Sequence, residues 1–396
     1  MYQTVFRPLL FRLDPERAHN LTLRAMQLVG ALPPLWWLVA RRFAYSQINS
    51  GAHPASRAGE NLLAPALSSP NSSFPAPNSP LSTINSQSPV SAPQSPTPNS
   101  QSPITLFGLT FPNPVGLAAG YDKDGLAWRG LAALGFGHIE IGTVTPRPQP
   151  GNPKPRIFRI PEERAVINRM GFPGRGADFV ARRLASRPHR PLSPVLGLNI
   201  GKNKDTPNEE AARDYLCLLE KFSPLVDYLT VNVSSPNTVG LRRLQARDQL
   251  ENLLAQLSAA RLRSPHPRPI LVKLAPDLSD PELDDALDAI TRTGMDGVIA
   301  TNTTVSRAEL RSPLGRESGG LSGAPLTKRS RTVVSEIYRR TSGKLPIVGV
   351  GGIMSPDDAK AMLDSGAALI QLYTGLIYAG PGLVREILLH LASRTV

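Results

Sequence analysis

Cysteine is almost missing from this sequence of 396 residues, in which Cys217 is the only one. A single cysteine excludes an intramolecular disulfide bond and is typical of a protein from a reducing compartment. Cys217 lies in an apolar segment with helical spacing, residues 215–219. We therefore expect it to be a small buried hydrophobic residue rather than a catalytic nucleophile.

Long hydrophobic runs are also missing. The longest apolar stretch near the N-terminus, residues 28–40, is too short to cross a bilayer and is interrupted by Pro33 and Pro34. No small-residue cleavage pattern follows it, and the N-terminus lacks the long Arg/Ser-rich presequence of an imported protein. We expect the stretch to touch a membrane without spanning it. We favour a peripheral position on the cytoplasmic side of a bacterial inner (plasma) membrane over a mitochondrial membrane.

Acidic residues are scarce relative to basic ones. The sequence has 31 Asp and Glu against 44 Lys and Arg, a formal net charge of +13. Such an excess favours anionic partners, either nucleic acid or acidic lipid. There is no dense Lys/Arg run interleaved with aromatic residues, which argues against nucleic acid. We expect no nucleic-acid partner and no bound metal ion.

Residues 1–45 have the pattern of a helical extension. Asp14 followed by Pro15 indicates the start of a helix, and apolar residues then recur every three or four positions. Trp36 and Trp37 precede two arginines, a combination typical of an anchor at a membrane interface. We predict contact with a membrane surface; the alternative is an ordinary helical pair packed on the rest of the protein.

Residues 46–103 have a different composition, dominated by serine, proline and asparagine. The sequence Asn-Ser-Gln-Ser-Pro occurs at both 85–89 and 99–103, and charged residues are nearly absent. Such a segment cannot bury enough apolar surface to offset the entropy lost on ordering, so we predict a disordered linker. A docking or modification tract is the alternative.

Residues 104–396 alternate strand-like apolar runs with helical segments, which predicts an α/β fold, a (β/α)8 TIM barrel. The predicted strands are 115–118, 138–141, 195–200, 228–233, 270–274, 297–301, 347–350 and 369–372. Three helix starts are indicated: a capping box that begins at Thr206, Asp280 with Pro281, and Ser355 with Pro356. The active site of such a barrel lies at the C-terminal ends of its strands.

Two glycine-containing turns follow the seventh and eighth predicted strands. Gly351-Gly352 and Tyr373-Thr374-Gly375 come where TIM barrels often bind phosphate, because glycine lets main-chain N–H groups approach an anion. The alternative is that these glycines only form tight turns, which use the same residues. No G-x-G-x-x-G pattern opens a helix after the first strand, so a Rossmann-type nicotinamide site is not indicated.

Polar residues end several buried strands. Asparagine offers both a donor and an acceptor, so a set of them suits a ligand with alternating N–H and C=O groups, such as a pyrimidine dione. The four are Asn168, Asn232, Asn237 and Asn302. Lys273 ends the apolar strand 270–274, where an ammonium needs an anionic partner. That partner is either an anionic cofactor edge or a structural carboxylate such as Asp277.

These motifs together resemble the flavin-dependent dihydroorotate dehydrogenases, in particular their membrane-associated, quinone-reducing class. The motifs that carry the resemblance are Ala119-Gly120-Tyr121-Asp122-Lys123, Gly142-Thr143-Val144-Thr145, Asn168-Arg169-Met170-Gly171-Phe172, Asn199-Ile200-Gly201, Asn232-Val233-Ser234-Ser235-Pro236-Asn237, Lys273, Thr301-Asn302-Thr303, Gly351-Gly352 and Tyr373-Thr374-Gly375. The resemblance covers nearly the whole chain except residues 46–103, where the family usually has a much shorter connection.

The resemblance implies FMN as cofactor and the oxidation of dihydroorotate to orotate, a step of pyrimidine biosynthesis. The residues it implies around FMN are Ala119, Gly120, Tyr121, Asp122, Lys123, Thr143, Asn199, Asn232, Lys273, Thr301, Gly323, Gly352, Tyr373 and Thr374. Those it implies in contact with the substrate are Lys123, Asn168, Arg169, Met170, Gly171, Phe172, Asn232, Asn237, Asn302 and Thr303. Ser235 is implied as the catalytic base. The soluble class carries cysteine at that position, so serine favours the quinone-using class.

The same resemblance implies a membrane quinone as electron acceptor, reached through residues 1–45, with His19, Arg159 and Tyr373 as candidates for its site. The oligomeric state, monomer or homodimer, stays open. Two alternatives compete with this interpretation. One is an FMN barrel acting on uridine in RNA, as in the tRNA dihydrouridine synthases, which rely on a cysteine acid. The other is a non-enzymatic barrel that carries the Ser/Pro/Asn tract as an interaction module.

Overall fold

The computed structural model of the chain describes residues 2–44, 103–186 and 194–393. Its strands, in chain order, are β1 (Ile104–Leu106), β2 (Leu109–Phe111), β3 (Val115–Leu117), β4 (His138–Val144), β5 (Ile157–Ile160), β6 (Ala165–Asn168), β7 (Val195–Ile200), β8 (Tyr228–Asn232), β9 (Ile270–Leu274), β10 (Gly297–Ala300), β11 (Gly320–Gly323), β12 (Ile347–Val350) and β13 (Leu369–Leu372). The segment predicted to be a linker, residues 46–103, lies outside the described residues apart from residue 103.

The helices of the described residues lie in the N-terminal extension and between the barrel strands. They are α1 (Arg7–Arg12), α2 (Pro15–Ala31), α3 (Pro33–Phe43), α4 (Trp128–Ala132), α5 (Ala177–Ala185), α6 (Ala211–Phe222), α7 (Arg247–Arg263), α8 (Asp280–Arg292), α9 (Thr327–Arg340), α10 (Pro356–Asp364), α11 (Thr374–Ala379) and α12 (Leu383–Ala392). None of these helices has the length and hydrophobicity needed to cross a bilayer.

Eight of the strands close into a barrel, which confirms the predicted TIM fold. They follow one another around the barrel in chain order, from β3 and β4 through β7, β8, β9, β10 and β12 to β13, which pairs with β3. Every neighbouring pair is parallel. Because the strands are parallel, their C-terminal ends meet at one mouth of the barrel, where TIM-barrel active sites lie.

Glycines on the strands make room for large side chains in the barrel interior. A Cβ atom on Gly197 in β7 would lie 2.0 Å from the ring of Tyr228, and one on Gly116 in β3 would lie 2.0 Å from the ring of His138. Only glycine fits at these two positions. Both rings are buried, so the barrel is filled by side chains and is not a pore.

Two smaller sheets accompany the barrel. β1 and β2 form an antiparallel hairpin. β11, β6 and β5 form a three-stranded antiparallel sheet, in which Asn168 at the end of β6 pairs with Gly320 in β11. This sheet brings Asn168 and Ser322 to the cavity described below.

The N-terminal helices pack on the barrel side through a close crossing of α2 with α4. A Cβ atom on Gly30 would lie 2.7 Å from the main-chain nitrogen of Gly130, and one on Gly130 would lie 1.8 Å from the carbonyl oxygen of Met26. The two helix backbones therefore touch directly. Trp36 of α3 adds a hydrogen bond from its indole Nε1 to the carbonyl oxygen of Arg129, at 3.0 Å.

The predicted helix starts have mixed outcomes. Asp14 caps α2 and Ser355 caps α10, as predicted. Asp280 begins α8 as predicted, although the capping box is formed by the preceding Ser279. The capping box predicted to begin at Thr206 is wrong. Its hydroxyl donates to Asp214 Oδ2 at 2.8 Å, and a short 3₁₀ turn comes before α6 instead.

The prediction that Cys217 is buried is also wrong. The buried face of α6 contains Ala211, Tyr215, Leu218 and Phe222, which recur every three or four residues. Cys217 lies off this stripe and is exposed. The apolar segment around it misled the prediction, because only one side of the helix faces the core.

Candidate active site

A cavity opens at the C-terminal ends of the barrel strands and encloses about 1010 Å³, including the part open to solvent. The site residues named from the sequence that line it are Ala119, Gly120, Lys123, Thr143, Asn168, Met170, Gly171, Phe172, Asn232, Ser235, Asn237, Lys273, Thr301, Asn302, Thr303, Gly323, Gly352, Tyr373 and Thr374. The fold therefore brings together most of the side chains assigned to cofactor and substrate.

Glycines form the part of the cavity wall that follows β12. Gly351 and Gly352 have φ angles of 120° and 73°, which side-chain-bearing residues rarely adopt. A Cβ atom on Gly352 would lie 2.3 Å from Thr327 Cα, so no side chain fits there. Ser330 and Thr327 donate their hydroxyls to the carbonyl oxygens of Gly351 and Gly352, each at 2.7 Å. Such a fixed glycine turn leaves space for an anion close to the main chain.

Two buried polar groups of the wall have no protein partner within the described residues. Lys273 is buried at the end of β9, and its ammonium makes neither a hydrogen bond nor an ion pair there. Burial lowers its pKa, against an opposing effect of Glu140. The hydroxyl of Thr301 is buried without a partner. Asp277, the carboxylate named above as an alternative partner, pairs with Arg242 at 2.8 Å instead.

Asparagines from three segments of the chain meet in this cavity. Asn237 Nδ2 donates to Asn168 Oδ1 at 3.2 Å, and Asn302 Nδ2 donates to Asn232 Oδ1 at 3.4 Å. Asn232 Nδ2 in turn donates to Thr143 Oγ1 at 2.9 Å. These bonds fix the orientation of the amides, so the set can present donors and acceptors to a polar ligand.

Ser235 lies in the same wall with only 5% of its surface exposed. Its Oγ accepts a hydrogen bond from the main-chain nitrogen of Asn237 at 3.2 Å. This contact orients the oxygen. A hydroxyl in such a fixed position can take part in proton transfer from a bound ligand.

Lys123 supplies a second lysine to the cavity wall. Its Nζ donates to the carbonyl oxygen of Gly120 at 2.6 Å. Burial lowers the pKa of Lys123 to about 8, although Asp124 and Glu16 act in the opposite direction. The ammonium therefore titrates close to neutral pH, and an anionic ligand beside it would favour its charged form.

Two of the cofactor residues named from the sequence lie behind the wall. Asn199 is fully buried, and its Oδ1 accepts the hydroxyl of Thr143 at 2.5 Å. Asp122 accepts hydrogen bonds from the main-chain nitrogens of Leu126 and Ala127, at 2.9 and 2.8 Å. Both side chains hold wall segments in place and are not part of the cavity surface.

Arg169 and Tyr121 also lie outside this wall. Arg169 pairs with Glu317 at 2.6 Å, and its guanidinium lies 4.6 Å from the centre of the Phe158 ring. Tyr121 lines a second cavity instead. Neither side chain contributes to the surface of the first cavity, although both flank residues that do.

A buried carboxylate beneath the cavity was not found from the sequence. Glu140 in β4 is fully buried. It accepts hydrogen bonds from Asn199 Nδ2 at 2.9 Å, Tyr228 OH at 3.2 Å, Thr230 Oγ1 at 3.2 Å and Gln371 Nε2 at 2.9 Å. Gln371 itself lines the cavity, and its Oε1 is buried without a partner in the described structure. The signal in the sequence was an acidic residue between two isoleucines of a predicted strand.

A second cavity of about 800 Å³, including open space, lies between the N-terminal helices and the barrel. All three quinone-site candidates, His19, Arg159 and Tyr373, line it. The rings of His19 and Tyr121 meet edge to face with centroids 5.1 Å apart, and those of Tyr121 and Tyr373 do so at 5.6 Å. Burial lowers the pKa of His19 to about 3, so this imidazole is neutral at physiological pH.

Arg159 ties the second cavity to the N-terminal segment. Its guanidinium donates to the carbonyl oxygens of Leu10, at 3.1 Å, and Phe11, at 3.3 Å, and also to that of Leu13. It lies over the Phe11 ring, 4.6 Å from the centroid.

The two cavities share part of their walls. The residues common to both are Lys123, Asn168, Met170, Ser322 and Tyr373. The same five residues therefore border both spaces.

The fold, and the cavity at the C-terminal strand ends, place the chain in the class of TIM-barrel enzymes. A family model described as Dihydroorotate dehydrogenase matches residues 103–394, and the chain belongs to this family. A dihydroorotate dehydrogenase (quinone) from Acidithiobacillus ferrooxidans is 48% identical over 391 residues, covering 97% of this chain and 93% of that protein. One from Janthinobacterium sp. is 47% identical over 389 residues, covering 97% and 96%.

Solved structures agree with the sequence relatives. A crystal structure of ligand-free DHODH from Eimeria tenella is 42% identical, with a TM-score of 0.71, and the match covers 74% of this chain and 87% of that one. A second structure of the Eimeria enzyme, in complex with ferulenol, has a TM-score of 0.69. These comparisons give no support to the alternative of a tRNA dihydrouridine synthase.

Proposed function

We propose that the protein oxidises dihydroorotate to orotate and passes the electrons through FMN to a quinone. The observation that carries this proposal is the wall of the first cavity, which Ser235 shares with the asparagines and with Lys123 and Lys273. The chain belongs to a flavin-dependent family, and relatives that match nearly its whole length are described as quinone enzymes. The product serves pyrimidine biosynthesis.

The residues of the wall fit FMN. The turn at Gly351 and Gly352, where a Cβ atom does not fit, suits the phosphate. Lys273 and Thr301, which have no partner in the described protein, suit the polar edge of the isoalloxazine ring. Bound there, FMN would supply the two-electron redox chemistry that links oxidation of the substrate to reduction of the quinone. Tyr121, Asp122 and Asn199 complete the proposed cofactor set from behind the wall or beside it.

Dihydroorotate suits the remainder of the cavity. The asparagines match the alternating N–H and C=O groups of its ring, and Lys123 matches its carboxylate. The other proposed contacts are Arg169, Met170, Gly171, Phe172 and Thr303. Amide donors directed at the C4 carbonyl oxygen would stabilise the negative charge that develops there when the C5 proton leaves.

Ser235 is the proposed base for the C5 proton. A serine hydroxyl is weak in this role, so the reaction depends on a strongly polarised substrate and on a fixed oxygen position. The contact from the Asn237 nitrogen to Ser235 Oγ supports such a fixed position.

The second cavity is the proposed quinone site. It is lined by His19, Arg159 and Tyr373, it reaches the N-terminal helices, and it shares a wall with the first cavity. Residues 1–45 are accordingly the proposed region of quinone access and of membrane contact, residues 46–103 a linker, and residues 104–396 the catalytic barrel. We place the protein on the cytoplasmic side of the inner membrane as a peripheral protein.

Anaerobic mixing tests the proposed function. Purified protein should carry yellow FMN, lose that colour when dihydroorotate is added, and regain it when a short-chain quinone follows. Protein that carries no flavin, or flavin that dihydroorotate leaves oxidised, would contradict the proposal.

The Ser235→Ala variant tests the proposed base. We expect the rate constant of flavin reduction to fall by about 10²- to 10⁴-fold, the range for loss of a general base, with the FMN content unchanged. Stopped-flow absorbance measures both. Ser335→Ala, at an exposed position of α9, is the matched control and should behave as wild type. Reduction of the Ser235→Ala variant at the wild-type rate would remove Ser235 from the reaction.

A further inference from the structure

Arg242 has no role in the reaction described above, yet its side chain is fully engaged. It lies in the 3₁₀ turn Leu241–Gln245, seven residues after Ser235, and does not line the first cavity. Each of three nitrogens of its guanidinium contacts a different loop at the mouth of the barrel.

The three contacts are short. Nε donates to the carbonyl oxygen of Ser234 at 3.0 Å, Nη1 to Asp277 Oδ2 at 2.8 Å, and Nη2 to the carbonyl oxygen of Thr303 at 2.9 Å. These acceptors lie in the loops that follow β8, β9 and β10. We call Arg242, Asp277 and the two carbonyl groups the Arg242 clamp.

Asp277 extends the clamp along the loop after β10. Its Oδ1 accepts the hydroxyl of Thr304, and its Oδ2 accepts the main-chain nitrogen of Val305 at 3.1 Å. The loop that carries Thr303 is thus held by the arginine and by the carboxylate together. The carboxylate and the guanidinium are both partly exposed, so they form a partly exposed salt bridge and not a buried one.

The clamp acts on the backbone that carries the proposed base. The Ser234 carbonyl belongs to the peptide bond that joins Ser234 to Ser235, so the arginine fixes the plane from which the Ser235 side chain projects. Asn302 Nδ2 donates to Ser234 Oγ at 3.0 Å and holds the same residue from inside the cavity. On the opposite loop, the carbonyl held by Nη2 belongs to Thr303, which lines the cavity.

We propose that Arg242 is a positioning residue, which through the Arg242 clamp fixes Ser235 against Thr303 for proton abstraction. This inference rests on the proposed function. Arginine suits the task because its planar fork donates in several fixed directions at once, which the single ammonium of lysine cannot do. A displacement of the reacting oxygen by about 1 Å costs on the order of 100-fold in rate.

The Arg242→Lys variant tests the clamp, with Arg243→Lys, at the exposed neighbouring position, as the matched control. With the FMN-loaded protein, we expect the rate constant of flavin reduction at saturating dihydroorotate to fall roughly 10- to 100-fold. Reoxidation of chemically reduced flavin by a quinone should stay within about twofold of wild type, because the second cavity contains no part of the clamp. Arg243→Lys should leave both half-reactions unchanged.

A second variant, Asp277→Asn, keeps the size of the side chain and weakens the same contact, so a smaller loss of flavin reduction is expected. In Arg242→Ala, millimolar guanidinium added to the solution should restore part of the rate, as it would not for a misfolded protein. Flavin reduction at the wild-type rate in Arg242→Lys, or an equal loss of both half-reactions, overturns the clamp. Absence of flavin reduction in the wild-type protein overturns the proposed function, and the clamp with it.

Discussion

Lys123 is a cation of the first cavity whose charge changes with pH not far above neutrality. Burial lowers its pKa to about 8, so the ammonium is present below that pH and is lost above it. If Lys123 binds the carboxylate of dihydroorotate, KM should be constant below pH 8 and rise about tenfold per pH unit above it. Initial rates measured between pH 6 and 10 test this expectation.

The Lys123→Arg variant is the control for that profile. Arginine stays charged throughout the range, so the rise of KM above pH 8 should disappear even if binding at pH 7 is weaker. A rise of equal steepness in both proteins would show that another group titrates.

Glu140 offers a test of the support beneath the cavity. In Glu140→Gln an amide N–H₂ group would face donors that now point at a carboxylate, and Lys273 would lose the charge that opposes the lowering of its pKa. We expect the free energy of unfolding to fall by about 1–3 kcal/mol and FMN to bind more weakly. Urea unfolding and FMN titration measure the two effects. The exposed Glu209→Gln is the control, and wild-type values for both quantities in Glu140→Gln would contradict the expectation.

At this scale the sequence revealed the residues that end strands and missed those with distant partners. Asn232 and Lys273 could be named because a polar side chain at the end of an apolar run is visible in the sequence. Gln371 could not be named, because its partner Glu140 is 231 positions away in the sequence. Arg242 could not be named either, because its partners are Asp277, 35 positions away, and main-chain carbonyl groups. Long-range partners are set by the barrel closure, which no local pattern encodes.

At the scale of elements, the barrel strands were the most predictable part of the fold. Four of the eight have the predicted bounds, and the other four differ by at most three residues at their C-terminal ends. Central parallel strands are buried on both faces, so they are continuous apolar runs that stand out from their surroundings. Thr206 shows the limit of local patterns, because its hydroxyl is taken by a tertiary contact with Asp214.

The crossing of α2 and α4 predicts a separation of the two half-reactions. In Gly30→Leu the new side chain would start 2.7 Å from the Gly130 nitrogen, so the helices must part. Replacing glycine in a helix gains about 1 kcal/mol of intrinsic helix stability, so any loss has to come from the crossing itself. We expect quinone reduction to fall at least about tenfold, because the second cavity is lined by α2.

Flavin reduction by dihydroorotate should stay near the wild-type rate in that variant, since the first cavity contains no residue of α2. Ala25→Leu, an exposed position of the same helix, is the matched control. Equal losses in the two half-reactions would show that the crossing supports the barrel as a whole.

At the scale of the whole molecule, apolar exposure is concentrated on the N-terminal helices. Trp37 and Leu38 are 65% and 67% exposed, and two exposed arginines follow them in α3. Moving one large apolar side chain from water into an apolar environment is favourable by about 1.5–3 kcal/mol of free energy. We therefore expect the Trp37→Ser/Leu38→Ser variant to bind anionic lipid vesicles at least about 100-fold more weakly than wild type.

Vesicle sedimentation at low and high salt measures this binding. The Leu262→Ser variant is the control, because Leu262 is exposed on the barrel rather than on the N-terminal helices. Unchanged sedimentation of the double variant would mean that another surface meets the lipid.

The predicted family and the predicted TIM barrel are confirmed for the molecule as a whole. Both predictions depended on many short motifs that occur in a fixed order along the chain. Such an ordered set is more specific to one family than any single motif is. The boundaries of the three proposed regions and the contact with a membrane stay predictions.

The wall shared by the two cavities has a kinetic consequence. Lys123, Asn168, Met170, Ser322 and Tyr373 line both cavities, so the two proposed ligand sites adjoin without being the same space. If dihydroorotate binds in the first cavity and the quinone in the second, neither has to leave before the other enters, so we expect a two-site ping-pong cycle. A compound bound in the second cavity would then stop turnover without competing with dihydroorotate for the first cavity.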